Sequence, residues 1–233
     1  MMKTLLPGAM SGTGQLMTLG VMGGGQLGRM FVHAAQAMGY FTAVLDPDPA
    51  SPAGLISHFH IQTPYDDEQG LAQLMQRCAA ITTEFENVPA GALVTLGAHR
   101  PVAPAADAVA ICQDRAAEKA MFGRAGVPCA PHALIDTPER LAAVPDSLLP
   151  GILKTARLGY DGKGQVVVAD RAALAAAWQQ LGQVPCVLEQ KLPLALELSV
   201  VVARSAQGEI VQLPVQQNLH RDGILAVTQV PAP

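Results

Sequence analysis

Leu16-Met17-Thr18-Leu19-Gly20-Val21-Met22 is a short apolar run that leads into Gly23-Gly24-Gly25, and this stretch decides the fold. Beyond the glycines a helical pattern of apolar residues ends at Gly39, and Phe41 to Leu45 form a second apolar run. The order of strand, glycine turn, helix and strand predicts a βαβ unit with a right-handed crossover. The helical spacing is carried by Leu27, Met30, Phe31, Ala34, Ala35 and Met38.

A third cycle follows along the chain. The pattern predicts a helix around Asp67 to Arg77 and a strand over Ala79 to Thr83. Such alternation is typical of a parallel sheet with helices on both faces, so we expect an α/β fold.

Composition excludes several classes of protein. Half of the 233 residues are hydrophobic and 15% are charged, which permits a well-buried core and argues against disorder. The formal charge of −4 and the lack of a dense basic run argue against nucleic-acid binding. No apolar run has the length of a membrane span. The four cysteines show no C-x-x-C pairing, which argues against a structural zinc site or a disulfide framework and fits the cytoplasm.

The glycine turn matches the dinucleotide fingerprint Gly23-x-Gly25-x-x-Gly28, and Asp46 lies near the position of a ribose-binding acid. Alone this match would indicate an NAD-dependent enzyme. It is weak evidence, because any tight strand-to-helix turn beside an anion favours the same glycines. A glycine turn without a ligand is the other interpretation.

Thr83-Glu84-Phe85-Glu86-Asn87-Val88-Pro89 follows the third predicted strand directly. Ligands of open α/β sheets bind at the carboxyl ends of the strands, so two carboxylates and an amide should lie beside the glycine turn. Carboxylates suit ribose hydroxyls or an amino group and would repel a pyrophosphate. The stretch could instead cap a helix over Pro89 to Leu96.

A second glycine-rich stretch lies in the back half. Gly151 to Lys154 reads as a strand that delivers a lysine, Gly159-Tyr160-Asp161-Gly162-Lys163-Gly164-Gln165 as a mobile loop, and Gln165 to Val168 as the returning strand. Backbone N–H groups of such a loop and a strand-end lysine suit the phosphates of a nucleotide triphosphate. An ordinary glycine-rich hairpin is the alternative.

Upstream of that hairpin, Asp114 can cap a helix that carries Arg115 and Lys119 on one face. Two cations at this spacing either lie on a solvated surface or contact an anion. From the residues alone the surface is the favoured interpretation.

The order of the motifs resembles one family closely. The ordered set is Gly-Gly-Gly-Gln-Leu-Gly-Arg-Met (23–30), Thr-Glu-Phe-Glu-Asn-Val-Pro (83–89), Asp-Arg-x-x-Glu-Lys (114–119), Leu-Lys (153–154), Gly-Tyr-Asp-Gly-Lys-Gly-Gln (159–165), Leu-Glu-Gln (188–190), Glu-Leu-Ser (197–199) and Asn-Leu-His-Arg-Asp-Gly-Ile-Leu (218–225). It is similar to the 5-(carboxyamino)imidazole ribonucleotide synthases, the ATPase subunits of phosphoribosylaminoimidazole carboxylase in the ATP-grasp superfamily. The resemblance covers nearly everything from Thr18 onward.

The resemblance implies a fold and an activity. A Rossmann-like pre-ATP-grasp substrate domain over 18–104 would precede an ATP-grasp domain over 105–233 that is incomplete at its C-terminus. Residues 1–17 hold one Lys and two short apolar patches interrupted by Gly and Pro, so they make a poor signal peptide and are expected to be a loose extension or to reflect an upstream start choice. The activity implied is the ATP-dependent carboxylation of 5-aminoimidazole ribonucleotide with bicarbonate in purine biosynthesis, through carboxyphosphate. A cytoplasmic homodimer is implied for the full-length form, with ATP and Mg2+ as cofactors and neither nucleic acid nor membrane as a partner.

The resemblance also implies site residues. Contacts to ATP are implied for Arg115, Lys154, Gly159, Tyr160, Asp161, Gly162, Lys163, Gly164, Gln165, Glu189, Gln190, Lys191, Leu192, Glu197 and His220. Substrate contacts are implied for Gly25, Gln26, Leu27, Glu84 and Asn87. Catalytic roles are implied for Tyr160, Asp161 and Lys163. Lys163 stands where relatives often carry Arg, which keeps the charge but loses bidentate geometry.

Magnesium ligands are expected beyond Pro233, because relatives continue past this point and no residue here is assigned to the metal. We therefore expect the chain alone to be inactive, with apolar strands such as 196–203 incompletely covered and prone to aggregate. A non-catalytic ribonucleotide-binding module and an ATP-grasp transformylase of the same pathway are the alternative functions.

Overall fold

The computed structural model describes residues 5–10, 14, 16–159, 163–221 and 224–233. The chain divides into two compact units, Met1–Ala117 and Glu118–Pro233. Each unit has a hydrophobic core of its own.

The first unit alternates strands and helices, as the sequence predicts. Its elements are β1 (Thr18–Met22), α1 (Gln26–Ala37), β2 (Phe41–Leu45), β3 (Phe59–Ile61), α2 (Glu68–Arg77), β4 (Ala80–Thr83), α3 (Ala90–Gly97) and α4 (Ala106–Cys112). Helix α5 (Arg115–Arg124) follows, and the Asp114 carboxylate accepts the N–H groups of Ala116 and Ala117 at its start. Strand β3 is only three residues long.

The four strands form one parallel sheet in the order β3-β2-β1-β4. Met22, the last residue of β1, is paired with Leu45 on one side and with Thr83 on the other. The strands β1, β2 and β4 therefore end at the same edge, which brings the glycine turn after β1 beside the acidic stretch after β4.

The buried face of α1 differs from the one that the apolar pattern marks. Gly28, Val32 and Ala35 are buried, whereas Leu27 and Met30 are 62% and 59% exposed. Small residues let the helix approach the sheet closely, and the large side chains of Leu27 and Met30 then face away from the sheet. The helix was predicted correctly, but the face of closest packing was not.

The second unit is built mainly from antiparallel strands. Its elements after α5 are β5 (His132–Ile135), α6 (Pro138–Ala142), β6 (Gly151–Thr155), β7 (Gln165–Val168), α7 (Arg171–Gln180), β8 (Cys186–Gln190), β9 (Glu197–Ser199), β10 (Val202–Arg204), β11 (Ile210–Gln212), β12 (Gln216–Arg221) and β13 (Ile224–Gln229). One sheet has the order β5-β8-β6-β7. Its residues Leu153 in β6 and Leu188 in β8 are buried in one core with Trp178 of α7. The hairpin of β6 and β7 agrees with the sequence prediction.

The last strands have little cover. They form a three-stranded sheet, β13-β12-β9, and a two-stranded one, β10-β11. Large apolar side chains lie exposed along them, including Leu198, Val202, Val211 and Val227, each at least 50% exposed. The exposure confirms that the strands over 196–203 are incompletely covered; aggregation stays a prediction. Within the described ranges, the helices are all too short or too polar to cross a bilayer.

We expect Leu74→Ala in α2 to lower the free energy of unfolding by about 2–5 kcal/mol, because Leu74 is fully buried in the first core. The matched control is Leu55→Ala, since Leu55 is 69% exposed and should change stability by less than about 0.5 kcal/mol. Urea denaturation measures both. Equal losses in the two variants would contradict the assigned core.

Candidate functional site

The carboxylate of Glu84 lies against the N-terminus of α1. The Gly25 N–H donates to Oε1 at 2.6 Å, and the Gly28 N–H donates to Oε2. The backbone N–H of Glu84 donates to the Met22 carbonyl at 3.1 Å, which ties this residue to the end of β1. A carboxylate satisfies amides that a helix start leaves unpaired. Glu84 thus takes the place in which a dinucleotide fold binds pyrophosphate.

Glycine is required around this carboxylate. Gly23 has a φ of +101°, and a Cβ there would lie 2.5 Å from Cγ of Glu84. A Cβ on Gly28 would lie 2.6 Å from the Gly23 carbonyl and 2.8 Å from Oε2 of Glu84. The fingerprint spacing therefore reflects close approach of Glu84 to the turn.

Asp46 anchors the same turn. It is 7% exposed, and its Oδ2 accepts the Gly24 N–H at 2.7 Å and the Tyr65 hydroxyl at 2.6 Å. Its Oδ1 accepts the Asp48 N–H at 2.8 Å. Burial, followed by the hydrogen bond to Asp46, raises the pKa of Tyr65. Asp46 therefore has a structural role here, and the geometry does not favour the ribose contact of an NAD enzyme.

A cleft of about 240 Å³ opens at this edge of the parallel sheet. Its lining includes Gly25, Asp48, Tyr65 and Glu84. It is rich in carboxylate and hydroxyl oxygens, which suits a ligand that offers hydroxyl or amino donors.

The remaining predicted substrate residues are more exposed. Gln26 and Leu27 form the exposed first turn of α1. The Asn87 amide donates to Glu86 Oε1 at 3.2 Å, and α3 begins after Pro89 without a side-chain cap, so Asn87 does not cap it. The contact of all three with substrate stays a prediction.

Gln113 supports the acidic stretch, and the sequence analysis missed it. Its Nε2 donates to the carbonyls of Glu86 at 2.6 Å and Val88 at 2.5 Å. The partners are 27 and 25 residues away in sequence, and no motif or residue spacing predicts hydrogen bonds over such a separation.

In the second unit, one carboxylate binds two lysines. Lys119 Nζ lies 2.6 Å from Glu189 Oε1, and Lys154 Nζ lies 2.6 Å from Glu189 Oε2. The three side chains are between 14% and 24% exposed. The sequence analysis favoured a solvated surface for Lys119, and this is wrong because the lysine is mostly buried in the ion pair.

The two lysines keep the Glu189 carboxylate ionised. Burial alone would raise the pKa of Glu189, but hydrogen bonds from Lys119 and Lys154 outweigh it and hold the pKa below its ordinary value of 4.5. The carboxylate is ionised at neutral pH, so two ammonium groups and one carboxylate carry a net charge of +1.

Backbone hydrogen bonds fix the two residues after Glu189 to neighbouring segments of the second unit. The N–H of Gln190 donates to the Pro131 carbonyl at 2.9 Å, and the N–H of Lys191 donates to the Pro150 carbonyl at 3.0 Å. These two N–H groups are engaged within the fold, so any ATP contact at this stretch would come from other groups. The ATP contacts of Gln190, Lys191 and Leu192 stay predictions.

Glu197 and His220 come together across neighbouring strands. Asn218 is paired with Glu197 in the β9–β12 ladder, and His220 Nδ1 lies 3.0 Å from Glu197 Oε2. The two residues were predicted separately as ATP contacts, and the fold makes them partners.

The glycine loop is described only at its ends. Tyr160, Asp161 and Gly162 lie outside the described residues, and with them the main catalytic candidates. Gly164 has a φ of +70° and its carbonyl accepts the Thr155 N–H at 2.8 Å, which closes the β6–β7 hairpin. Lys163 is exposed beside it.

No group of three or more His, Cys, Asp or Glu side chains able to hold a metal ion occurs in the part of the chain that the structure describes.

Comparison with protein families matches both halves of the chain. The ribonucleotide synthetase preATP-grasp domain matches residues 16–113, and the ATP-grasp domain matches residues 120–233. The N5-carboxyaminoimidazole ribonucleotide synthase of Brucella melitensis is 41% identical over 218 residues, 92% of this chain and 60% of the relative. That of Bacillus subtilis is 39% identical over 215 residues, 92% of this chain and 57% of the relative. The chain thus spans about three-fifths of the length of these curated relatives.

Solved structures agree with these relatives. An ADP complex of N5-carboxyaminoimidazole ribonucleotide synthetase has a TM-score of 0.90 and 37% identity, over 100% of this chain and 60% of that one. The Aspergillus clavatus N5-carboxyaminoimidazole synthase in complex with ADP and 5-aminoimidazole ribonucleotide has a TM-score of 0.83 and 29% identity, over 93% of this chain and 57% of that one.

Gly28→Ala should lower the free energy of unfolding by about 1–3 kcal/mol, because its methyl group would overlap the Gly23 carbonyl and push Glu84 from the turn. Gly91→Ala in α3 is the matched control. Nothing lies within 4 Å of its added Cβ, and helix propensity predicts a gain of up to about 1 kcal/mol. Urea denaturation of both variants is the measurement; a harmless Gly28→Ala would contradict the close approach.

The contribution of Glu189 to stability should depend on pH. Its pKa is lowered in the folded state, so its stabilising effect is present above the unfolded pKa and is lost as pH falls through the folded pKa. We expect Glu189→Gln to be less stable than the wild type at pH about 7 and the difference to shrink below pH about 4.5. Urea denaturation across this range tests the sign; a difference that grows toward acid would contradict it.

Proposed function

Since the chain belongs to the N5-carboxyaminoimidazole ribonucleotide synthase family, we propose that it supplies the ribonucleotide-binding and ATP-binding units of an ATP-grasp ligase. The reaction is the carboxylation of 5-aminoimidazole ribonucleotide by bicarbonate, driven by ATP, in purine biosynthesis. The pair of lysines on one mostly buried carboxylate is the observation that carries the proposal.

The second unit binds ATP. Lys154 presents an ammonium group at the end of a strand, beside the glycine loop, where it neutralises phosphate charge. The resemblance implies further ATP contacts from the glycine loop, Gly159 to Gln165. Glu197 binds ribose hydroxyls, and His220 orients its carboxylate from 3.0 Å.

The first unit binds the ribonucleotide. Glu84 is oriented by two backbone N–H groups, one on each oxygen. A carboxylate has about four lone-pair directions, so the oriented group can still accept hydrogen bonds from a ribose hydroxyl or the exocyclic amine. Gly25, Gln26, Leu27 and Asn87 complete this contact in the proposal.

The chemistry proceeds in two steps. A bicarbonate oxygen attacks the γ-phosphorus of ATP, which yields carboxyphosphate and ADP. The exocyclic amine then attacks the carboxyl carbon, the C–N bond forms, and inorganic phosphate leaves. Lysine charge and fixed geometry stabilise the anionic transition states. The resemblance implies that Asp161 takes or orients the amine proton, and it implies further catalytic roles for Tyr160 and Lys163.

Magnesium, bicarbonate, a homodimer and a cytoplasmic location remain predictions of the resemblance, as does the inactivity of the isolated 233-residue chain. A non-catalytic ribonucleotide-binding module remains the alternative, and an ATP-binding measurement separates the two.

Calorimetry of the purified chain with ATP and, separately, with 5-aminoimidazole ribonucleotide tests the proposal. Lys154→Met should weaken ATP binding about tenfold or more, or about 1.4 kcal/mol, and leave ribonucleotide binding unchanged. Glu84→Gln should do the reverse, because an amide nitrogen cannot accept the N–H of Gly28. Each variant is thus the control for the other.

Arg140→Gln is the charge-matched surface control, since Arg140 is 54% exposed and pairs only with Asp136 among its acidic neighbours in the described ranges. It should alter neither affinity. Ribonucleotide binding without any ATP binding would favour the non-catalytic module, and binding of neither ligand would contradict the proposal.

A further inference from the structure

We propose that Lys119 is a second phosphate-contacting lysine and that Glu189 is a positioning residue, which holds Lys119 and Lys154 toward the same nucleotide phosphates. This inference rests on the proposed ATP binding of the second unit and extends it to a residue outside the predicted ATP contacts.

Strand register fixes one half of the arrangement. Ile152 is paired with Glu189 in the antiparallel β6–β8 ladder, and Lys154 lies two residues beyond Ile152. Lys154 and Glu189 are therefore diagonal neighbours on one face of the sheet. The strand pairing therefore holds the two side chains close enough for the Lys154 ammonium to lie 2.6 Å from Glu189 Oε2.

Lys119 completes the arrangement from α5. Its ammonium lies 2.6 Å from the other oxygen of Glu189. The same lysine lines a cleft of about 410 Å³, whose walls include Val127, Pro131 and Leu148. This volume falls in the range of small-molecule sites. Lys119 therefore contacts Glu189 and also lines space that could hold a ligand.

The charge of the cluster calls for an anion. One lysine would neutralise Glu189, and the second leaves a net charge of +1 on side chains that are at most 24% exposed. An excess charge in a mostly buried place costs free energy unless a counter-charge is supplied. Each ammonium has three N–H groups and gives one to Glu189, so further donors remain for phosphate oxygens.

A purely structural role would tie α5 to the sheet without any part in ligand binding. Glu189→Gln separates the two roles, because it makes the cluster more positive by one unit. Charge alone predicts that ATP then binds more tightly. Positioning predicts weaker binding, because the two ammonium groups lose their common anchor.

The experiment measures ATP, ADP and adenosine binding to the full chain by calorimetry. We expect Lys119→Met to weaken ATP and ADP binding about tenfold and to leave adenosine binding unchanged, because adenosine has no phosphate. Lys119→Arg, which keeps the charge, should restore part of the loss. Glu189→Gln should also weaken ATP binding. Arg140→Gln is the control for loss of a surface cation and should behave as the wild type.

Three results would overturn the inference while leaving the proposed function intact. They are wild-type ATP affinity in Lys119→Met, an equal loss for ATP and adenosine in that variant, and tighter ATP binding by Glu189→Gln. Melting temperatures of all variants are measured as a check on folding. If Glu189→Gln fails to fold, Lys119→Met still decides the test, because the Lys119→Met variant keeps the Lys154–Glu189 pair. No ATP binding by the wild type would instead overturn the proposed function and this inference with it.

Discussion

The second unit depends on one carboxylate that binds two ammonium groups. Glu189 lies in β8, which is paired with β5 on one side and β6 on the other, and its partners come from β6 and α5. Ion pairs of exposed side chains contribute little, but a mostly buried cluster is sensitive to the loss of any member. The same contacts tie three elements together and give the three described side chains a net charge of +1. This charge connects the packing of the unit with its proposed ligand.

The first unit uses the same device with backbone donors. Glu84, directly after β4, accepts the N–H groups of Gly25 and Gly28 at the start of α1. In both units a glutamate at or near the end of a strand engages positive groups at a candidate ligand site. The consequences differ. Glu84 occupies the backbone N–H groups that could otherwise bind an anion, whereas Glu189 balances the charge of only one of its two lysines. This difference agrees with the proposal that the first unit binds hydroxyl or amino groups and the second unit binds phosphates.

Local sequence predicted the elements better than their partners. Apolar runs and glycines were enough for the βαβ start and for the β6–β7 hairpin. The face of α1 was missed because the small residues Gly28 and Ala35 pack more closely than the large ones that the pattern emphasises. The pairing of Lys119 was missed for another reason: its partner is 70 residues away in sequence, and helical spacing says nothing of contacts across such a distance. The set of candidate residues came mainly from the family resemblance, whereas the contacts that orient Glu84 and Glu189 came only from the fold.

A crystal structure of the chain with bound ADP would test the central claim most directly, through the distances from the two lysine ammonium groups to the phosphate oxygens. The account predicts that Lys119 and Lys154 both lie within about 3 Å of phosphate oxygens, with Glu189 still bound to at least one of them. A nucleotide whose phosphates contact neither lysine, or contact Lys154 while Lys119 points away, would contradict it.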